Sequence, residues 1–409
     1  MDTLTLVWIV TVVAALVTGA CFVGVLVVRR SLEPIVALLG ISAFGFSAYS
    51  VVVISTAYYR IDAGLYAFAF LVAGIVGGWA IAASLLERFI KLPSPLTLEQ
   101  EMATTGDKGT AVVVVSCLEP AEYDPSITAG MLQSLADEEL LDPSMTVLPF
   151  LFFAQKARYR AVGGTSPAEG ELRQLAEAIE LSLGSAVGRV DTATCSGEQR
   201  LATRVKDAID AGFEKVVVAE IVIAESLHLS TAKRETDALR PDLVGRRVAY
   251  TSTLGGSERL VNMLVARVLA SAETTDNSGV VLVGHGQPEA RARRNQGFDE
   301  DETAFLSRIR MRLVDEGIPE THIRIAWAEW NSPDVTSSVR HLAALGCRRV
   351  VVLPAVFAFD TIGTRLDLEL AVRQARVDDT VAVVTLSAWR DDPIVVSEIA
   401  QRVQAEIAG

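Results

Sequence analysis

The sequence predicts an α/β protein in which two similar doubly wound parallel-sheet lobes follow three N-terminal transmembrane α-helices. Three observations lead there. Residues 4 to 28, 34 to 59 and 63 to 86 contain no charged side chain. From residue 111 onward, short β-branched runs alternate with longer amphipathic stretches. One apolar strand occurs twice, as VVVVSCLEP at 112 to 120 and VVLVGHGQP at 280 to 288, and aligning Pro120 with Pro288 sets Cys117 opposite His285.

Each apolar stretch is long enough to cross roughly 30 Å of hydrocarbon at about 1.5 Å per residue. The start, MDTLTLVWIV, is acidic rather than basic, so it reads as a retained anchor and not as a cleaved signal peptide. Arg29 and Arg30 follow the first stretch, Arg60 beside Asp62 the second, and Arg88 and Lys91 the third. The more basic loops fall on one side, which predicts a multi-pass protein of the cell (inner) membrane with its N-terminus outside and its large domain cytoplasmic. Ala20 with Gly24 and Gly74 with Gly78 allow close helix packing, within the three-helix unit or against a membrane-protein partner. No Asp, Glu, Lys, Arg or His lies inside a span, which argues against an ion path or proton relay there.

The chain divides into an anchor at 1 to 90, a polar, Pro-containing linker at 91 to 108, a first lobe at 109 to 275 and a second at 276 to 409. In the first lobe the pattern predicts strands at 111 to 116, 145 to 152, 188 to 194 and 215 to 223, with helices near 126 to 140, 168 to 184 and 198 to 211. In the second it predicts strands at 280 to 284, 322 to 328, 349 to 357 and 380 to 386, with helices near 300 to 316, 334 to 345 and 364 to 376. Alternation of this kind builds a parallel sheet. Aligning Gly212 with Gly346 lays RLATRVKDAIDAGFEKVVVAE over DVTSSVRHLAALGCRRVVVLP without a gap. Ligands of such sheets lie beyond the carboxyl ends of the strands, so a cleft between the two lobe edges is the natural site. A net charge of −13 disfavours nucleic acid and anionic lipid surfaces as partners of the soluble part. Cys21, Cys117, Cys195 and Cys347 form no CxxC pair and suit a reducing cytoplasm.

Several of these segments together resemble the ferrochelatase and sirohydrochlorin (cobalt) chelatase superfamily, whose two α/β lobes clamp a tetrapyrrole during metal insertion. YRAVGGTSP, with Tyr159, Gly163, Gly164, Ser166 and Pro167, is similar to the loop that contacts the porphyrin. VVLVGHGQP resembles the strand ending in the metal-binding, proton-accepting histidine, which maps onto His285. AEWNSPD resembles the strand where the small chelatases carry a metal-side glutamate, here Glu329. VVVLPAVFAFDTIGTRLDLE resembles the strand and helix that supply a second catalytic acid. Asp360 matches the family's aspartate, and Asp367 and Glu369 continue an acidic face. The match is incomplete, because the family's essential glutamate falls on Gly363 and the small chelatases' second histidine on Ile362. The resemblance covers about residues 109 to 405.

Metal insertion removes two pyrrole protons and delivers a divalent ion. The resemblance therefore implies His285, Glu329 and Asp360 as catalytic groups, and His285, Glu329, Asp367 and Glu369 as metal-side groups. A neutral imidazole is a base near neutral pH and a transition-metal ligand, and carboxylate oxygens hold such ions loosely enough to release them. No tightly bound cofactor is expected. The metal is a substrate, Fe²⁺ first, with Co²⁺ or Ni²⁺ as alternatives. Each residue also has a plainer reading: His285 as a hydrogen-bonded histidine in a Gly-His-Gly turn, Glu329 as a solvated acid, Asp360 as a helix cap, and Asp367 and Glu369 as a solvated helix face. Projecting the family positions through the repeat nominates Cys117, Cys195 and His228 as a second, soft-metal set, or else as two small apolar residues and a locally bonded histidine. His228 or Glu225 facing His285 across one ring is a variant of the same idea. His322 and His341 read as structural or exposed. Three functions stay open: a membrane-anchored tetrapyrrole chelatase, a catalytically weakened homologue serving as a tetrapyrrole-binding, regulatory or assembly subunit, and a binding module for another small ligand.

Overall fold

The computed structural model describes residues 3–58, 61–89, 109–137, 147–197 and 199–409. The predicted linker, including Lys91, and Arg60 lie outside the described residues. The chain forms two compact units, Met1–Pro93 with Glu122–Gly164, and Ser94–Ala121 with Thr165–Gly409.

The first unit holds helices α1 (Thr3–Val27), α2 (Glu33–Tyr58), α3 (Ile61–Phe89), α4 (Pro125–Asp137) and α5 (Leu148–Ala161). The first three are long and apolar enough to cross a membrane, over Thr5–Val27, Glu33–Thr56 and Phe68–Leu86. Their small residues serve packing within the unit. A Cβ on Gly78 would lie 2.0 Å from the Leu16 carbonyl oxygen and one on Gly24 2.9 Å from Val36, so these backbones touch because no side chain intervenes. A helix leaves its last carbonyls unbonded, and those of α1 receive donors from Tyr123, just before α4, and from Lys156 in α5. Lys156 Nζ donates to Val25 O at 2.7 Å and Tyr123 Oη to Val27 O at 2.8 Å, while Lys156 and Arg160 both pair with Glu33.

One expected strand is corrected here. The stretch 145 to 152 is helical from Leu148, because Leu148, Phe152, Lys156 and Tyr159 recur at helical spacing and all four are buried. The short aromatic run LPFLFF carries no period of its own, and only the residues after it reveal the helix.

The second unit holds two four-stranded sheets. β1 (Thr110–Ser116), β2 (Arg189–Thr194), β3 (Lys215–Glu220) and β4 (Arg247–Tyr250) make the first, in the order β2-β1-β3-β4. β5 (Ser278–Gly284), β6 (Ile323–Trp327), β7 (Arg349–Leu353) and β8 (Ala382–Thr385) make the second, in the order β6-β5-β7-β8. All pairs are parallel, and the identical order bears out the duplicated α/β unit. Helices α6 (Ala168–Leu183), α7 (Leu201–Asp210), α8 (Leu227–Asp237) and α9 (Glu258–Ser271) accompany the first sheet in sequence. The short α10 (Glu289–Ala292), then α11 (Gln296–Asp315), α12 (Val335–Ala344), α13 (Leu368–Gln374) and α14 (Pro393–Ala408) accompany the second.

The valine runs are apolar throughout because both sheet faces are covered. Val113 and Val115 pack with α7 and α8, whereas Val112 and Val114 join a core shared with Val280, Leu282, α6, α9, α11 and α14. The last helix of each half crosses over: α14 packs on α6 and β3, and α9 on α11 and β7. That exchange brings the two sheets together around one core.

Candidate active site

β5 ends at Gly284, and the next residue, His285, stands at the carboxyl edge of the second sheet. Its imidazole is 47% exposed, while the carboxylate behind it, Glu302, is 2% exposed. Glu302 sits on α11 among Phe298, Phe305, Leu306 and Ile309, an acid on the apolar face of its helix. It accepts the His285 backbone N–H at 3.0 Å through Oε2 and meets Nδ1 at 2.7 Å through Oε1. A carboxylate only accepts, so Nδ1 carries the proton it shares with Glu302, and in the neutral imidazole the lone pair then lies on Nε2. The Phe357 ring, 4.1 Å from the imidazole centroid, flanks the histidine.

The loop after β6 runs along the same edge. Ala328 N–H donates to Gly284 O at 2.9 Å and Glu329 N–H to His285 O at 3.0 Å, continuing the ladder past the strand ends. Gly286 makes this approach possible. Its φ is +76°, and a Cβ there would lie 2.2 Å from the Glu329 carbonyl oxygen. Glu329 is exposed and accepts from Trp330 Nε1 at 3.1 Å. Trp330, the residue after Glu329, has φ +64° and is 57% exposed.

The ferrochelatase family model matches residues 110–407. The chain belongs to the ferrochelatase family. Among solved structures, "SirB from Bacillus subtilis with Fe3+" is similar at 14% identity, covering 74% of this chain and 96% of that one, with a TM-score of 0.48. The sirohydrochlorin chelatase SirB from Bacillus subtilis subspecies spizizenii in complex with cobalt is similar at 13% identity, covering 73% and 96%, also at 0.48. No curated protein matches the sequence.

Of the family positions read from the sequence, the fold brings His285 and Glu329 side by side and sends the others elsewhere. Asp360 is 6% exposed. Its Oδ1 accepts Ala388 N–H at 3.0 Å and its Oδ2 pairs with Arg390, so its carboxylate is occupied in tying down the chain. Glu369 is exposed and pairs with Arg373, and Asp367 closes the π-helical turn Gly363–Asp367 that leads into α13. Among the described residues, no group of three or more His, Cys, Asp or Glu side chains is placed to hold a metal ion. The four-residue metal set is therefore not gathered. His322 is half-buried and His341 exposed.

The tetrapyrrole-loop residues divide between the units. In the first, Tyr159 is buried edge-on to Tyr123, and Gly163 and Gly164, both at positive φ, end α5. In the second, Pro167 precedes α6, and Ser166 Oγ donates to Glu119 Oε1 at 2.6 Å.

The first lobe corrects a further expectation. Cys117 and Cys195 are joined as a disulfide, so neither offers a thiolate, and the soft-metal set with His228 does not form in this state. The cause is register. Ser116 pairs with Thr194 at the ends of neighbouring strands, which leaves the next residues of both strands adjacent. His228 is an exposed residue in the first turn of α8, and Glu225 is engaged by Lys233 at 2.8 Å.

A polar clasp joins the two lobes. Glu119 Oε1 also accepts Ile362 N–H at 2.9 Å, Glu171 Oε2 accepts Asp360 N–H at 2.8 Å, and Arg390 bridges Glu171 and Asp360. Burial pushes the Glu171 carboxyl above its ordinary value, and the nearby Asp360 charge adds to this. The folded protein then binds this proton more tightly than the unfolded chain does. Its stability falls as pH rises from the ordinary carboxylate value through the raised one. Glu171→Gln is expected to flatten that slope in a stability–pH series, and an unaltered slope would remove Glu171 as its source.

Proposed function

We propose that this ferrochelatase-family protein inserts a divalent metal ion into a porphyrin-type ring, with His285 as proton acceptor. The observation that carries the reading is the buried Glu302 carboxylate on Nδ1, which in the neutral imidazole places the lone pair on Nε2 of a half-exposed histidine at the strand edge. As pyrrole protons depart, Nε2 takes one, and Glu302 stabilises the imidazolium that forms. Glu329, alongside, offers an exposed carboxylate for the second proton or for the incoming ion. Fe²⁺ is the first candidate, with Co²⁺ and Ni²⁺ as alternatives. Trp330, next to Glu329 in the chain, carries an exposed indole on which a flat macrocycle would stack. Tyr159, Gly163, Gly164, Ser166 and Pro167 keep their proposed role at the ring by family resemblance.

The three apolar helices would hold this chemistry at the bilayer, where an apolar ring enters or leaves. The arginines at 29, 30 and 88 favour a cytoplasmic soluble part.

A second reading is a weakened homologue that binds a tetrapyrrole for a membrane complex. Gly363 in place of the family's glutamate favours it. A metal-insertion assay on the full chain with several porphyrins and metals separates the two, since retained ring binding without turnover selects the second reading. Trp330→Ala should leave folding intact and weaken ring binding by about 1 kcal/mol, roughly fivefold in Kd. Fluorescence quenching on titration with porphyrin measures it, and an unchanged Kd would take Trp330 out of the site.

A further inference from the structure

The disulfide lies where the first lobe's functional edge would be. In the repeat, Cys117 occupies the position that His285 holds in the second lobe, immediately past the central strand. Both cysteines are partly exposed, unlike the buried Cys21 and Cys347. The strand ends that they join are already neighbours through the β1–β2 ladder, so opening the bond leaves the sheet in place. Cys117 Sγ is 3.7 Å from the Ser226 hydroxyl, the residue that caps α8. A hydroxyl donor and a helix N-terminus both favour a thiolate leaving group.

Two residues beyond Cys117 stands Glu119, whose carboxylate holds the Ile362 amide and the Ser166 hydroxyl. Ile362 stands five residues after Phe357, the ring packed against His285. A covalent tether at residue 117 therefore sits two residues from a clasp on the chain that backs the reacting histidine.

We propose that Cys117–Cys195 is a reversible redox switch that sets how firmly Glu119 grips the Ile362 segment, and through it the His285 edge. The step is thiol–disulfide exchange with a dithiol. A thiolate of the reductant attacks Cys195 Sγ and Cys117 leaves as thiolate. The reductant's second thiol then displaces Cys195. The reductant becomes a disulfide, and two electrons and two protons end on the cysteines. In the cytoplasmic location proposed above, a disulfide is ordinarily of this transient kind. The switch's effect on metal insertion rests on the chelatase reading, but its structural part does not.

The test uses the full chain in detergent, equilibrated with dithiothreitol or with a glutathione redox buffer. Alkylation and mass spectrometry count free thiols, and hydrogen exchange follows the Ile362 amide. Reduction is expected to label Cys117 and Cys195 together and to speed Ile362 exchange by about fivefold or more. Cys117→Ser with Cys195→Ser should exchange fast in both buffers. Glu119→Gln should still titrate its thiols but lose the redox dependence at Ile362. A pair that resists reduced glutathione, or one that reduces with Ile362 unchanged, overturns the switch. Absent metal insertion with intact redox-dependent exchange would instead sink the chelatase reading alone.

Discussion

On the proposed chelatase reading, His285→Ala is expected to lower metal insertion by about 10² to 10⁴-fold, the usual contribution of a positioned base, with porphyrin binding within a few-fold of the parent. Glu302→Gln tests how that base is held. The parent carboxylate accepts two donors, the His285 backbone N–H and Nδ1–H, and an amide brings only one acceptor oxygen. One donor is then unmatched, or the imidazole turns to the tautomer that blocks Nε2. Insertion should fall by about 10- to 100-fold in rate, with ring affinity unchanged. The double variant should be no slower than His285→Ala, because Glu302 acts through the histidine. Additive losses would make Glu302 an independent contributor, and full activity in His285→Ala would end the assignment.

Gly286→Ala is expected to damage the proposed site without touching a reacting group. Its φ of +76° strains any side chain, and the added Cβ would press on the Glu329 carbonyl oxygen at 2.2 Å. The loop must move, at a cost of about 2 to 4 kcal/mol in stability. The His285–Glu329 backbone pairing should break and insertion should fall with it. Gly363→Ala is the control. Its nearest neighbour to a new Cβ is Thr361 Oγ1 at 3.4 Å, ordinary contact, so a change within about 0.5 kcal/mol is expected. Thermal unfolding of both variants decides, and a neutral Gly286→Ala would show the loop to be looser than this.

Much of the proposed site was legible because His285 sits at a strand end, where apolar run, glycine and proline mark the edge without any tertiary information. Glu302 was harder to see, yet it left a trace. An acid among Phe298, Phe305 and Ile309 at helical spacing is either a design fault or a buried partner, and only the fold shows whose partner it is. Asp360 shows the opposite case. The sequence left it open between an acid catalyst and a helix cap, and its carboxylate's partner, Arg390, lies thirty residues on and also pairs with Glu171 in the other half of the chain.

The sequence by itself determined the three apolar helices, the duplicated parallel sheets and the position of His285, because each follows from composition, period or repeat within one segment. The tertiary structure alone decided three further points: that α14 and α9 cross between the halves, that Glu302 rather than Asp360 serves the histidine, and that Cys117 meets Cys195. Each is a contact between residues distant in sequence. Periodicity records which face of an element is buried, but not which other element buries it.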